Sequence, residues 1–400
     1  MNRPDTLTYT GDCGQNVLSV TTYQMLEIEA KLVLDFDFAH ALMLWGPTGI
    51  GKSSIQRQLL QAHAQNTGAK AWVPKTGAEI SGLLEVYGDW GLIDMRLATK
   101  DTTDMQGLLN LADTKARWIP PDDLPVVGQE QRFPAKGILL LDELSLASPA
   151  IQAIAYAIAL DHKAGSFRLL PGWKVIAASN LAREKTYAFD MAHPLKNRFI
   201  HYFVRGDLDS WKKWAYANGI DERIIAFLTW NETYLHSDTN PDAYGFPTPR
   251  AWEMVSDLIK RFANGHALVN MSGAIGQATA ALFNGFLKVY EEETKGDYKS
   301  IPAVLNGDVK PKPFKRDEPG RAYSVVARMV AHGRKNTGDC AKIVGFLLTN
   351  TWEENLEIAR ICLSDLNACL KDKNGAVHPD FSKAVATHAK AINQMFRGII

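Results

Sequence analysis

The chain predicts an α/β domain built on a parallel sheet, followed by a region made of helices alone. Three observations carry that expectation. Up to residue 205, short apolar runs alternate with segments of helical periodicity, the pattern of a parallel sheet covered on both faces. Beyond residue 205 the strand signal stops and amphipathic helical patterns run on to the C-terminal end. Between the first apolar run and the first helical pattern stands "GPTGIGKSS", a glycine-rich turn of the kind that wraps a phosphate.

The predicted strands are "ALMLW" (41–45), "LIDMRL" (92–97), "GILLLD" (137–142), "KVIAAS" (174–179) and "FIHYFV" (199–204). Each has the length and apolar continuity of a strand buried on both faces. The first helix is predicted from "KSSIQRQLLQAHAQ". Another starts at "SPAIQAIAYAIALDHK", where Ser148 as N-cap and Pro149 as first helical residue mark the beginning. After residue 205, "LDSWKKWAYANG", "DERIIAFLTWNETYLH" and "PRAWEMVSDLIKRFAN" read as helices. The segment 295–320 is polar and rich in Pro and Lys, and reads as a linker or exposed loop. The expected organisation is therefore an α/β nucleotide-binding domain at 1–205, a helical lid at 206–294, and a linker with a C-terminal helical extension at 295–400.

Composition narrows the class. In 400 residues, 44 Lys and Arg balance 44 Asp and Glu, so the basic surplus usual in a dedicated nucleic-acid binder is missing. The first residues contain no apolar signal segment, and "PAIQAIAYAIAL" is too short and alanine-rich to span a bilayer. Cys13, Cys340, Cys362 and Cys369 form no CxxC pair, which points to reduced thiols, a cytoplasmic setting and no zinc site.

Gly46 to Ser53 fits G-x-x-x-x-G-K-[ST] in its required place between a strand and a helix. Gly46, Pro47, Thr48, Gly49, Ile50, Gly51, Lys52, Ser53 and Ser54 are the expected phosphate-binding residues. Glycines let backbone N–H groups curl round the anion, Lys52 supplies a point charge, and Ser53 offers its hydroxyl to Mg²⁺. The third strand ends in "LLLDELS": Asp142 is placed to hold Mg²⁺ through water, and Glu143 to orient and deprotonate an attacking water. Two adjacent carboxylates at the tip of a buried strand need a cation or a solvated site. Asn180, after the fourth strand, is expected between these acids and the γ-phosphate. Arg198, at the mouth of the fifth strand, faces away from its own site and is the candidate finger for a neighbouring subunit, with Lys196 and Arg183 as rivals. Arg250, just after Pro249, is placed on the first turn of a helix in the second domain, to reach back to the phosphates.

These segments, in this order, resemble the AAA+ ATPases and within them the MoxR-like group. "GPTGIGKS", "GILLLDELSLASP", "VIAASN", "PLKNRF" and "PTPRAW" would be Walker A, Walker B, sensor 1, arginine finger and sensor 2. "IDMRLATKDTTDMQGLL" with "ARWIPPDDLP" is similar to the group's helix-2 insertion, and "DHKAGSFRLLPGW" to its pre-sensor-1 hairpin. The likeness covers about residues 35–270, and Thr48 after Pro47 departs mildly from the family's loop. It implies a sheet of order 5-1-4-3-2, ATP and Mg²⁺ as ligands, a ring that is most often a hexamer, and insertions lining its pore. It also implies remodelling of a protein client, a von Willebrand factor A domain protein being the partner of many members.

Two other classes remain open at this level. A nucleic-acid motor or restriction-type NTPase shares the module, but no zinc, nuclease or helix-turn-helix pattern is visible, and "TKDT" at 99–102 sets its Asp one position early for guanine selection. A monomeric P-loop kinase or switch would have no use for Arg198.

Overall fold

Continuous apolar runs bounded by turn residues make strands buried on both faces, and the central sheet is assembled from them. The computed structural model describes residues 8–10, 16–35, 38–75, 77–111, 116–180, 196–237, 243–262, 267–312, 319–349, 356–370 and 376–397. The chain divides into two compact units, Met1–Gly206 and Asp207–Ile400.

The first unit holds an eight-stranded sheet. Its strands are β1 (Thr8–Thr10), β2 (Asn16–Thr21), β3 (Ala41–Trp45), β4 (Leu84–Tyr87), β5 (Trp90–Arg96), β8 (Lys136–Asp142), β11 (Gly172–Ser179) and β12 (Phe199–Arg205). They lie in the order β1-β2-β12-β3-β11-β8-β5-β4. The five predicted strands are β3, β5, β8, β11 and β12, and in chain order they stand as 5-1-4-3-2 within that sheet. The sheet differs from expectation in being wider, with β1 and β2 beyond β12 and β4 beyond β5. From β2 to β5 all neighbours are parallel, whereas β1 and β4 pair antiparallel at the edges. The edge position explains why β4 escapes a search for apolar runs: "LEVY" is only half-buried along its whole length.

Side chains alternate between two apolar layers. Met43, Ile93, Leu139, Leu141 and Val175 face α4 (Pro149–Asp161), meeting Ile151, Ile154 and Ile158. Leu42, Leu44, Leu92, Leu140 and Ile176 face α1 (Thr22–Glu29) and α2 (Lys52–Thr67), meeting Met25, Ile55 and Leu59. Ser148 caps α4 as predicted, accepting from the Ile151 N–H, with Pro149 in the first turn. Gly91, Gly137 and Trp173 occupy one cross-strand row of β5, β8 and β11. A Cβ on Gly137 would come within 2.7 Å of the Trp173 indole, and one on Gly91 within 2.8 Å. The buried indole N–H donates to the Pro134 carbonyl at 2.9 Å.

Two antiparallel ribbons rise from this unit. After the short helix α3 (Thr102–Gln106), β6 (Leu108–Asn110) pairs with β7 (Arg117–Ile119), exposing Leu108, Leu109, Trp118 and Ile119. The second pairs β9 (Lys163–Ala164) with β10 (Phe167–Arg168). Both lie in the segments read as insertions.

The described part of the second unit is helical: α5 (Leu208–Ala217), α6 (Glu222–Trp230), α7 (Pro249–Arg261), α8 (Ala267–Ile275), α9 (Gln277–Lys295), α10 (Ile301–Leu305), α11 (Pro319–Lys335), α12 (Cys340–Thr349), α13 (Leu356–Cys369), α14 (Pro379–Thr387) and α15 (Ala389–Arg397). Its core centres on Phe227, whose ring lies 5.2 Å from Phe283 and 5.6 Å from Trp252. The helices expected at 206–294 as a lid and at 295–400 as an extension both belong to this unit. The polar segment read as a linker contains α10, with Tyr298, Ile301 and Val304 buried and Arg328 bonding the Tyr298 carbonyl at 2.6 Å. Three well-spaced apolar residues anchor it despite its Pro and Lys content. Cys340, Cys362 and Cys369 are free thiols, all pushed upward in pKa chiefly by burial, and Cys13 lies outside the described residues. No helix among the described residues is long and apolar enough to cross a membrane.

Behind α2 lies a fully buried carboxyl. Both oxygens of Glu29 accept from Gln56 Nε2, at 3.0 and 3.2 Å. Burial raises this carboxyl to about 8, against a smaller opposing pull from Gln56. The folded chain therefore holds a proton there that the unfolded chain releases near pH 4.5, and stability falls as pH rises between 4.5 and about 8. Glu29→Gln is expected to flatten that fall and to be the more stable form above pH 8, as read by urea denaturation across the range.

Candidate nucleotide site

The loop between β3 and α2 is shaped by its glycines. Gly49 and Gly51 have φ of +76° and +97°, the left-handed region that favours glycine. Gly46 is required for space: a Cβ there would sit 2.4 Å from the Val204 carbonyl oxygen and 2.8 Å from Ile50 Cδ1. Helix α2 begins at Lys52 without a side-chain cap, so the positive end of its dipole is presented to an anion.

Lys52 is only 7% exposed, so its ammonium needs acceptors. Nζ donates to the carbonyls of Gly46 at 2.7 Å and Pro47 at 2.8 Å, and to Asn180 Oδ1 at 2.9 Å. The loop thus curls round its own lysine, and Asn180 reaches in from the end of β11. Ser53 Oγ donates to Asp142 Oδ2 at 2.6 Å, bringing together the two residues predicted to share a metal. The remaining oxygen, Oδ1, accepts the Glu143 N–H at 2.9 Å.

Glu143 has φ 57° and ψ 34°, a left-handed conformation that costs a non-glycine residue about 1–3 kcal/mol. Its turn continues as a short 3₁₀ segment, Leu144–Leu146, closed by the Leu146 N–H on the Glu143 carbonyl at 2.9 Å. Ser145 and Ser179, both buried, join this turn to β11 through their hydroxyls.

One turn beyond Ser53, Arg57 bonds Glu85 of β4 at 2.7 Å and Asp94 of β5 at 2.8 Å. Burial lifts the Glu85 carboxyl, but the Arg57 and Tyr87 hydrogen bonds outweigh it and leave its pKa below the ordinary value. Asp94 ends above its ordinary value: burial dominates, Arg57 opposes it, and the Asp142 charge adds to it. Sequence reading passed over this triad, whose only trace is an Arg four residues after Ser53 on the same helix face.

Arg198 was expected to face away from its own site. The structure places its guanidinium over the Tyr156 ring of α4 in the same chain, its carbon 3.3 Å from the ring centre, with Nη2 donating to the Tyr156 hydroxyl. Its Nη1 is buried without a partner among the described residues. Tyr156 carried no sequence signal beyond its place in an apolar helix. Of the rivals, Lys196 is exposed and Arg183 lies outside the described residues. Arg250 lies on the first turn of α7, in the second unit, and is exposed; Thr248 caps that helix, accepting from the Ala251 N–H at 3.0 Å.

No protein-family model and no curated protein matches this chain. Among solved structures it is similar to a point mutant of RuvB from Thermotoga maritima, at 13% identity over 75% of this chain and 84% of that one, with a TM-score of 0.34. It is also similar to closed-state Hsp104 with ATPγS and FITC casein, at 12% identity over 69% of this chain and 48% of that one, with a TM-score of 0.31. A third is NtrX from Brucella abortus in complex with ATP, at 14% identity over 94% and 67%, with a TM-score of 0.29. Likenesses this distant assign no activity to the chain.

Arg57→Leu removes the ion-pair partner of Glu85 and Asp94 and leaves Glu85 the Tyr87 hydroxyl. The variant is expected to lose about 1–3 kcal/mol in denaturant unfolding, between the values of exposed and buried ion pairs.

Proposed function

We propose that this chain is an ATP-hydrolysing machine of AAA+ type. One observation carries the reading: at the carboxyl ends of adjacent parallel strands, Lys52 meets Asn180 across 128 residues of sequence and Ser53 meets Asp142 across 89. Ligands of parallel sheets bind at such strand ends.

In this reading residues 46–54 hold the phosphates of ATP, with the uncapped start of α2 and the Lys52 ammonium supplying positive charge. Ser53 and Asp142 fit Mg²⁺: one hydroxyl and one carboxylate are the sparse donor set with which this ion keeps most of its waters. Bound there, it would neutralise charge on the β- and γ-phosphates. Glu143 takes the proton of the attacking water, and Asn180 orients that water. Arg198 leaves Tyr156 and completes the site of a neighbouring copy, which makes the working form a ring, with six members on the MoxR-like reading. Arg250 couples the helical lid, residues 206–294, to nucleotide state, and the extension at 295–400 is left for regulation or client contact. The ribbons β6–β7 and β9–β10 act on a protein client, with a von Willebrand factor A domain protein as the MoxR-type partner. A cytoplasmic setting goes with this reading.

Glu143→Gln is expected to bind a fluorescent ATP analogue as the parent does while turnover falls about 100- to 10,000-fold. Turnover near the parent's would overturn the hydrolytic reading. Arg198→Ala should bind nucleotide normally and lose about 1,000-fold in turnover. Mixing it with Lys52→Ala subunits should restore part of the activity, which a site complete within one chain would not do.

A further inference from the structure

A left-handed Glu143 has to be held by something, since the conformation costs free energy and a relaxed backbone would swing the carboxylate elsewhere. The bonds local to the turn do not tie it to the neighbouring strand β11: Glu143 N–H to Asp142 Oδ1, and Leu146 N–H to the Glu143 carbonyl, both join residues within three positions. The tie comes from Ser179. Its Oγ accepts the Ser145 backbone N–H at 3.3 Å and is also hydrogen-bonded to Ser145 Oγ. Its carbonyl accepts the Gly46 N–H at 3.3 Å, and the next residue is Asn180, which holds Lys52. Both hydroxyls are buried, so water does not replace either partner.

We propose that Ser179 is a positioning residue for Glu143, its hydroxyl fixing the left-handed turn against the strand that carries Asn180. The assignment rests on the reading of Glu143 as the base that activates water. Ser179 holds three parts in one frame: the loop through its carbonyl, the acid turn through its hydroxyl, and Asn180 through the chain. Ser145 contributes twice, through backbone and side chain, and only the side-chain half is lost on substitution.

That asymmetry provides the test. In Ser179→Ala, kcat is expected to fall about 10- to 100-fold, the loss typical of a reacting group displaced by an ångström. KM and the affinity for a fluorescent ATP analogue should stay within about twofold, because Lys52 and the loop keep their own bonds. Ser145→Ala keeps the N–H bond to Ser179 Oγ and should lose markedly less. The double variant should be no slower than Ser179→Ala, and Ser179→Thr, which restores a hydroxyl, should recover turnover. Amide exchange read without nucleotide should quicken at 143–147 in Ser179→Ala and remain as in the parent at 52–60. Equal losses in the two alanine variants, weakened nucleotide binding in step with turnover, or unchanged exchange at 143–147 would each overturn the proposal. If Ser179→Ala does not fold, faster exchange at 143–147 in Ser145→Ala supports it and parental exchange there overturns it. Turnover by Glu143→Gln at the parental rate would remove the hydrolytic reading instead, and exchange would still decide what Ser179 holds.

Discussion

An ammonium in a nearly dry place must be surrounded by acceptors, and much of the first unit follows from where Lys52 finds them. Two come from the loop that precedes it, so the loop has to double back on itself, and only glycines at 49 and 51 allow the turn without strain. The third comes from Asn180, so β11 has to lie beside β3 and end level with the loop. The same crossover sets β8 next to β11, which brings Asp142 to Ser53. One buried positive charge thus constrains loop shape, strand order and the height at which three strands stop.

Around that charge, Asp142 and Asp94 each meet a partner. Asp142 is satisfied by a hydroxyl and a backbone N–H. Asp94, close enough to feel the Asp142 charge, is answered by Arg57 from one turn further along α2. The edge hairpin β4–β5 is thereby tied to the nucleotide-facing helix through Glu85 and Asp94 together. A helix that carries Lys52 and Ser53 on its first turn is braced by Arg57 on its second, and the buried Glu29 and Gln56 support it from behind.

The parallel strands could be read from sequence because strands buried on both faces are written as unbroken apolar runs, as in "GILLLD". Edge strands have one partner and meet solvent, so "LEVY" is mixed in character and does not stand out. The residues of the site divide in the same way. Lys52, Ser53, Asp142, Glu143 and Asn180 sit at fixed places relative to strands and turns, and spacing alone finds them. Arg57, Tyr156 and Ser179 gain their roles only from what the fold brings to them: Arg57 meets two strands 28 and 37 residues away, Tyr156 meets Arg198 across 42, and Ser179 meets Ser145 across 34. Such pairs leave no periodic trace. The linker reading of 295–320 failed locally because Pro and Lys dominate the composition, while burial there depends on Tyr298, Ile301 and Val304.

The row of Gly91, Gly137 and Trp173 has a bearing on how this sheet reaches its register at all. A slip of one residue between β8 and β11 would turn every side chain to the wrong layer. A slip of two keeps the layers, and apolar packing alone would tolerate it, since leucine would replace leucine along "GILLLD". The indole removes that tolerance: two places along, Leu139 or Ile93 would bring a branched side chain to where only a hydrogen now fits. Misaligned pairings are rejected at the amino ends of the strands, far from the loops. The carboxyl ends, where Asp142, Ser179 and Asn180 must arrive level with one another, inherit an alignment proofread some ten to twenty ångströms away, at roughly 3.3 Å of rise per residue.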